Sequence, residues 1–255
     1  MSDIASRQST TELDGISIVV LGNFNPTIFS PAWFRLHNLI GKSEADEAQV
    51  QMIVPPVAIF ATDWLSVQVT QDRLVLATIM RQEFERLRDT AVGVMTILDQ
   101  TPIQAIGINR EAHWTAKDRD TYDQFGDILV PKERWDGALE LAGTQDLTVR
   151  GIRADNWAGW IDVTIQPSLR VSPFGIYTRV NDHSWLVEVD YQPSARGAPG
   201  DPASVPDPPT PSSTLIPHLL RILRDDWSRR LDDCDRIIGM VRALSGDATG
   251  RDNTR

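Results

Sequence analysis

The sequence predicts an α+β fold: a bent antiparallel sheet covered by helices, with a long C-terminal amphipathic helix after a proline-rich linker. Three observations carry this expectation. Short apolar runs with period-two alternation recur from residue 14 to residue 191. Between them lie segments whose apolar positions return every three or four residues, as on a helix with one buried face. The last such segment, residues 213–244, follows a stretch, 192–214, with seven prolines in 23 residues.

Residues 1–13 are polar and lack a helix cap, and they read as a flexible lead. The ordered domain is expected over residues 14–191. It opens with DGISIVVLG (14–22), which is apolar on nearly both faces and so suits a covered strand. Ser30 is placed to cap a helix, Pro31 fits its first position, Phe29 can staple onto Phe34, and Gly41 is the expected stop. At the junction, Asn23 and Asn25 either knit the bend together or face a ligand. A charged connection, 42–49, leads to residues 50–61, a strand that Pro55 and Pro56 must bend or push to an edge.

Residues 64–70 and 73–80 flank Gln71-Asp72, the spacing of a β-hairpin. Over residues 82–98, Phe84, Leu87, Ala91, Val94 and Leu98 form a helical stripe expected to lie across that hairpin. A strand follows at 103–114, and then a helical region, 117–141, cut by Gly126, Pro131 and Gly137. Residues 147–154, 160–171, 174–180 and 185–191 read as a four-strand meander whose last turn is Asn181-Asp182-His183-Ser184. Both halves run from helix to hairpin-rich strands, which suits an internal duplication, although no motif repeats.

This succession of opening strand, proline-bounded helix, hairpin, amphipathic helix, a Gly-Ile-Asn-Arg strand (Gly107 to Arg110), meander and closing helix resembles an uncharacterised, sporadically distributed family of bacterial proteins. The resemblance covers most of the chain. It departs from the family at Glu111-Ala112, where the family has aromatic residues after the arginine. The family has no established activity, so the resemblance implies an architecture and no catalytic residue.

In the closing helix, expected to pack on the domain over 215–244, Ile216, Leu220, Leu223, Trp227, Leu231, Cys234, Ile238 and Val241 make one continuous stripe. At 1.5 Å per residue, roughly 30 residues span about 45 Å, long enough to reach another chain as well as its own sheet. Residues 245–255 are a flexible tail.

A net charge of −10 works against a general phosphate-binding surface, so nucleic acid is not an expected partner. Cys234 is the sole cysteine, which excludes an internal disulfide and a cysteine-based zinc cluster, and on the apolar stripe it is a core thiol. Without a signal-peptide pattern or an apolar run of about 18 residues, the expectation is a cytoplasmic protein with no membrane partner.

Nothing in the chain calls for a metal or cofactor. Asp225, Asp226, Asp232, Asp233 and Asp235 stand among Arg221, Arg224, Arg229, Arg230 and Arg236, which reads as a salt-bridged face. The four histidines share no metal-ligand spacing, and adjacent Asp182, His183 and Ser184 cannot form a catalytic relay. Gly41-Lys42-Ser43 lacks the upstream glycine of a phosphate loop.

Asn109, Glu111 and His113 point one way along a strand and Arg110 the other, so the three could line a pocket between sheet and helix for a small polar ligand. Trp157 and Trp160 flank a glycine-containing bend and could expose rings to a partner. The first functional expectation is a non-enzymatic interaction protein that binds another protein or a second copy of itself through those tryptophans and through Leu223, Trp227 and Ile238. A small-ligand-binding module comes second, and a hydrolase or transferase with dispersed catalytic residues third.

Overall fold

The computed structural model describes residues 11–153, 155–189 and 207–246. Most of the expected lead, of the proline-rich linker and of the tail lies outside them, but the last residues of the lead, 11–13, are not flexible: they open the first strand. The protein is α+β, built on one open antiparallel sheet of nine strands in the order β2-β3-β4-β5-β1-β6-β9-β8-β7. Its centre is the pair β1 (Thr11–Gly22) and β6 (Ile103–Thr115). Outward from β1 lie β5 (Arg73–Thr78), β4 (Ser66–Thr70), β3 (Val57–Ala61) and β2 (Gln49–Val54). Outward from β6 lie β9 (Gly175–Glu188), β8 (Trp157–Pro167) and β7 (Leu147–Ile152). Each half therefore runs central strand, helix, hairpin-linked strands laid from the edge inward, and helix again, an internal two-fold arrangement without a repeated motif.

Local chemistry sets the first turn after β1. Ser30 accepts the Trp33 N–H at 3.2 Å, Pro31 opens α1 (Pro31–Leu36), and the Phe29 and Phe34 rings pack with centroids 6.5 Å apart. Gly41 is not the stop of that helix. α1 ends at Leu36, and Gly41 instead caps α2 (Lys42–Asp46), its N–H bound by the Glu44 carboxylate. Residues 50–61 are not one bent strand either: Pro55 and Pro56 form the turn between β2 and β3, and β2 is the sheet edge, where an unpaired ladder tolerates them.

The helices sit on one face of the sheet. Ile16, Ile18 and Val20 of β1, Val67 and Val69 of β4, Leu74 and Leu76 of β5, and Ile106 and Ile108 of β6 bury against α3 (Phe84–Ile97) and the closing helix. That helix comprises α5 (Ile216–Arg221), a π-helical turn (Ile222–Asp226) and α6 (Trp227–Gly246). A second cluster beneath α4 (Arg119–Leu129) and α6 joins Trp114, Phe125, Ile176, Val180, Cys234 and Ile238. Leu219 and Arg230 are fully buried where the expected stripe had Leu220 and Leu231, and across the π turn the buried face passes from Ile222 and Leu223 to Trp227 and Arg230.

The meander has three strands, not four. Asn181, Asp182, His183 and Ser184, expected as a turn, lie in the middle of β9 and pair with β6 on one side and β8 on the other. Asp182 is 1% exposed and would be prohibitively costly there alone. Arg153 and Arg230, both buried, bind its Oδ1, and around them Asp155, Asp226 and Arg229 complete a cluster of three arginines and three aspartates. Although burial pushes the Asp155 carboxyl upward, the hydrogen bond and charge of Arg153 and the charge of Arg230 hold it at about 2. Burial pushes the Arg230 guanidinium down to about 9.

Replacing Asp182 by Ala leaves two arginines buried without their shared acceptor. The expected loss is about 3–5 kcal/mol in a urea titration. A loss below about 1 kcal/mol would show that the cluster does not hold β9 in place.

Candidate site on the uncovered sheet face

The face opposite the helices contributes no residue to either core cluster. Register alone assembles its most continuous feature. Ala61 pairs with Ser66, Ser66 with Ala77, Ala77 with Ser17, Ser17 with Asn109, Asn109 with Asn181, Asn181 with Asp162, and Asp162 with Arg150. These residues come from eight strands and form a row of small or polar side chains about 34 Å long at the usual strand spacing. Beside it on one flank runs Glu111, Arg179, Thr164 and Thr148, and on the other Val75, Val19, His183 and Trp160.

Where the row carries Ala61, Ser66, Ala77 and Ser17, the short side chains leave a cleft of about 410 Å³. The β3–β4 loop closes one end with Thr62, Asp63, Trp64 and Leu65, and Ile79, Asn109, Glu111 and Arg179 stand in its wall. The loop holds itself in shape: Leu65 N–H donates to Thr62 Oγ1 at 3.0 Å and Trp64 N–H to Asp63 Oδ1 at 2.9 Å. Asn109, 9% exposed, donates from Nδ2 to Ser17 Oγ at 3.4 Å. Glu111 accepts from the Tyr177 hydroxyl at 3.2 Å. Burial, reinforced by the Glu111 charge, pushes the Tyr177 phenol up to about 12, so it stays a donor.

The expected alternation along β6 is present, but the side on which the pocket lies is reversed. Arg110, not its neighbours, points under the helices, where it binds Asp14 and Asp235 and lies 4.8 Å from the Phe84 ring centroid. Asn109 and Glu111 line the cleft on the open face, away from any sheet–helix interface. His113 faces the same way without lining the cleft; its ring packs on Tyr177 at 4.6 Å and its Nδ1 meets Ser168 Oγ at 2.7 Å. Ser168 Oγ also accepts the N–H groups of Arg170 and Val171. A hydroxyl whose acceptor capacity is taken by two backbone donors locks a turn and is not poised as a nucleophile.

Asn23 and Asn25 stand at the far end of β1, apart from the cleft, where Asn25 Oδ1 caps a 3₁₀ turn by accepting from Thr27 N at 3.2 Å. Trp157 is not an exposed ring: it is 3% exposed and donates to Asp226 at 2.9 Å. Trp160 lies in β8 and stacks on His183 at 4.0 Å, with Arg150 over its ring at 4.8 Å. Gly159 lets the chains meet closely there, since a Cβ at that position would run into the His183 carbonyl. Leu223, Trp227 and Ile238 are buried between α5–α6 and the sheet, so the closing stripe is used within the chain.

Among the described residues, no group of three His, Cys, Asp or Glu side chains is arranged to hold a metal, and no helix is long and apolar enough to cross a membrane. Cys234 is fully buried, which pushes its thiol up to about 12. Compared with known proteins, the chain matches no family model and no curated protein.

Burial lowers His183 from an ordinary 6.5 to about 4, against the pull of the Asp162 charge and with further push from Arg150 and Arg230. Between those values the unfolded chain takes up a proton that the folded chain refuses. His183 therefore contributes stability in full above pH 6.5, and that contribution falls as pH drops toward 4. Thermal melts from pH 7 to 4.5 should show this slope, and His183→Gln should flatten it. An equal slope in the variant would assign the effect to other groups.

Proposed function

We propose that this protein is a non-catalytic binding protein that receives a small polar ligand on the uncovered face of its sheet. The cleft between Ser17, Ala77, Asn109, Glu111 and the Thr62-Asp63 loop is the seat. What supports this reading is the unbroken cross-strand row of small and polar side chains, which ends in a recess large enough for a small molecule. A sheet face built only to be solvated needs no such recess.

A protein-interaction reading draws support from a different place. The edge strand β2 exposes Val50, Met52 and Val54 at 51%, 47% and 37%, beside an outer edge with no strand partner among the described residues. Such an edge accepts an added strand from another chain or a second copy. Cytoplasmic residence fits both readings.

A native mass spectrum of the protein purified gently from its own cells separates them. The expected result is one chain plus a small added mass, lost in Ala77→Leu, whose longer side chain fills the recess, with melting temperature retained. A bare chain in both proteins overturns the ligand reading. An added mass the size of a protein, lost in Met52→Lys, selects the edge-strand reading.

A further inference from the structure

We infer that the ligand of this cleft carries a protonated amine, a conclusion that rests on the cleft being a binding site and adds the chemistry of its occupant. Half of the side chains that line the recess carry an acceptor oxygen, and two of these are carboxylates. Glu111 uses Oε2 for the Tyr177 hydroxyl, and its Oε1 accepts no hydrogen bond among the described residues. Asp63 uses Oδ1 for the Trp64 N–H, and its Oδ2 is likewise without a donor among them. The Asn109 side chain, nine-tenths buried and turned into the cleft, has its Nδ2 on Ser17, which leaves its carbonyl oxygen for a guest. Ser17 and Ser66 add hydroxyls at the floor.

An ammonium has three donors and no acceptor, and Glu111, Asn109 and Ser17, on the adjacent strands β6 and β1, offer it carboxylate, amide and hydroxyl oxygens. The one cation in the lining is Arg179, which stands on β9 directly across the strand pair from Glu111. Against it stand two carboxylates, Glu111 and Asp63, so the recess is net negative. An anionic guest in the recess therefore meets the Glu111 carboxylate before the arginine, and Asp63 holds the other end, whereas an amine meets an opposite charge at either end. The chain's net charge of −10 favours encounter with cations as well.

Three probes of similar chain length and different charge test this by calorimetry on the full chain: 1,4-diaminobutane, succinate and erythritol. The diamine alone should bind, with affinity reduced roughly tenfold in Glu111→Gln, which keeps the shape of the side chain and removes its charge. Added salt should weaken it further. Asp63→Asn, on an exposed loop, gives the second reading if Glu111→Gln alters the melting temperature. Binding of succinate or erythritol in place of the diamine, lost in Ala77→Leu, overturns the amine and leaves the cleft standing. Diamine binding that both charge-removing variants leave unchanged places the amine elsewhere and overturns the inference. Failure of all three probes at millimolar concentration overturns the amine together with the cleft.

Discussion

The structure depends on the ladder between β1 and β6. Its two strands, more than 80 residues apart in the chain, pair in register from Leu13 opposite His113 to Leu21 opposite Ala105. Everything else is hung from them: four strands on one side, three on the other, and a helix returning over each half. One residue fastens this ladder to the layer above. Arg110 leaves β6 toward the helices and binds Asp14 of β1 and Asp235 of α6, with the Phe84 ring of α3 beneath its guanidinium. A buried guanidinium held from three elements tolerates few alternative arrangements of those elements.

The two faces of the sheet follow from that arrangement. Helix packing takes Ile16, Ile18, Ile106 and Ile108 on one side, and the same ladder must then present Ser17, Gly107, Asn109 and Glu111 on the other. Register in β9 is pinned by charge instead. A slip of one residue would move Asp182 away from Arg153 and Arg230 and bring His183 beneath the helix, stranding two buried cations. The charged cluster thus secures the alignment on which the polar row and the cleft at its end depend.

Where each side chain's role is set by its immediate neighbours, the sequence was readable. The opening strand, the Ser30 cap, the Phe29–Phe34 contact, the Gln71-Asp72 hairpin and the helical stripe of α3 all appear as local pattern implies. Asn181 to Ser184 misled for the same reason: turn-forming side chains with no visible partners read as a turn, and their partners arrive from residue 153 and residue 230. Arg230 was lost among solvated charges because its burial depends on a π turn that amphipathic period does not disclose.

The candidate site was half legible. Alternation along residues 109–113 separated Asn109 and Glu111 from Arg110 correctly, but it carries no information about which side the helices will cover. Ala61, Ser66, Ala77 and Ser17 gave no signal at all, since a small side chain on a strand is unremarked until four of them stand abreast. The sequence by itself determined the opening strand and the Ser30 cap after it, the Gln71-Asp72 hairpin, which residues of a strand share a face, and that the closing helix has an apolar stripe. Tertiary structure alone decided which face is buried, which charges lie under the helix and where a recess opens, because these depend on pairings between residues distant in the chain and not on periods within it.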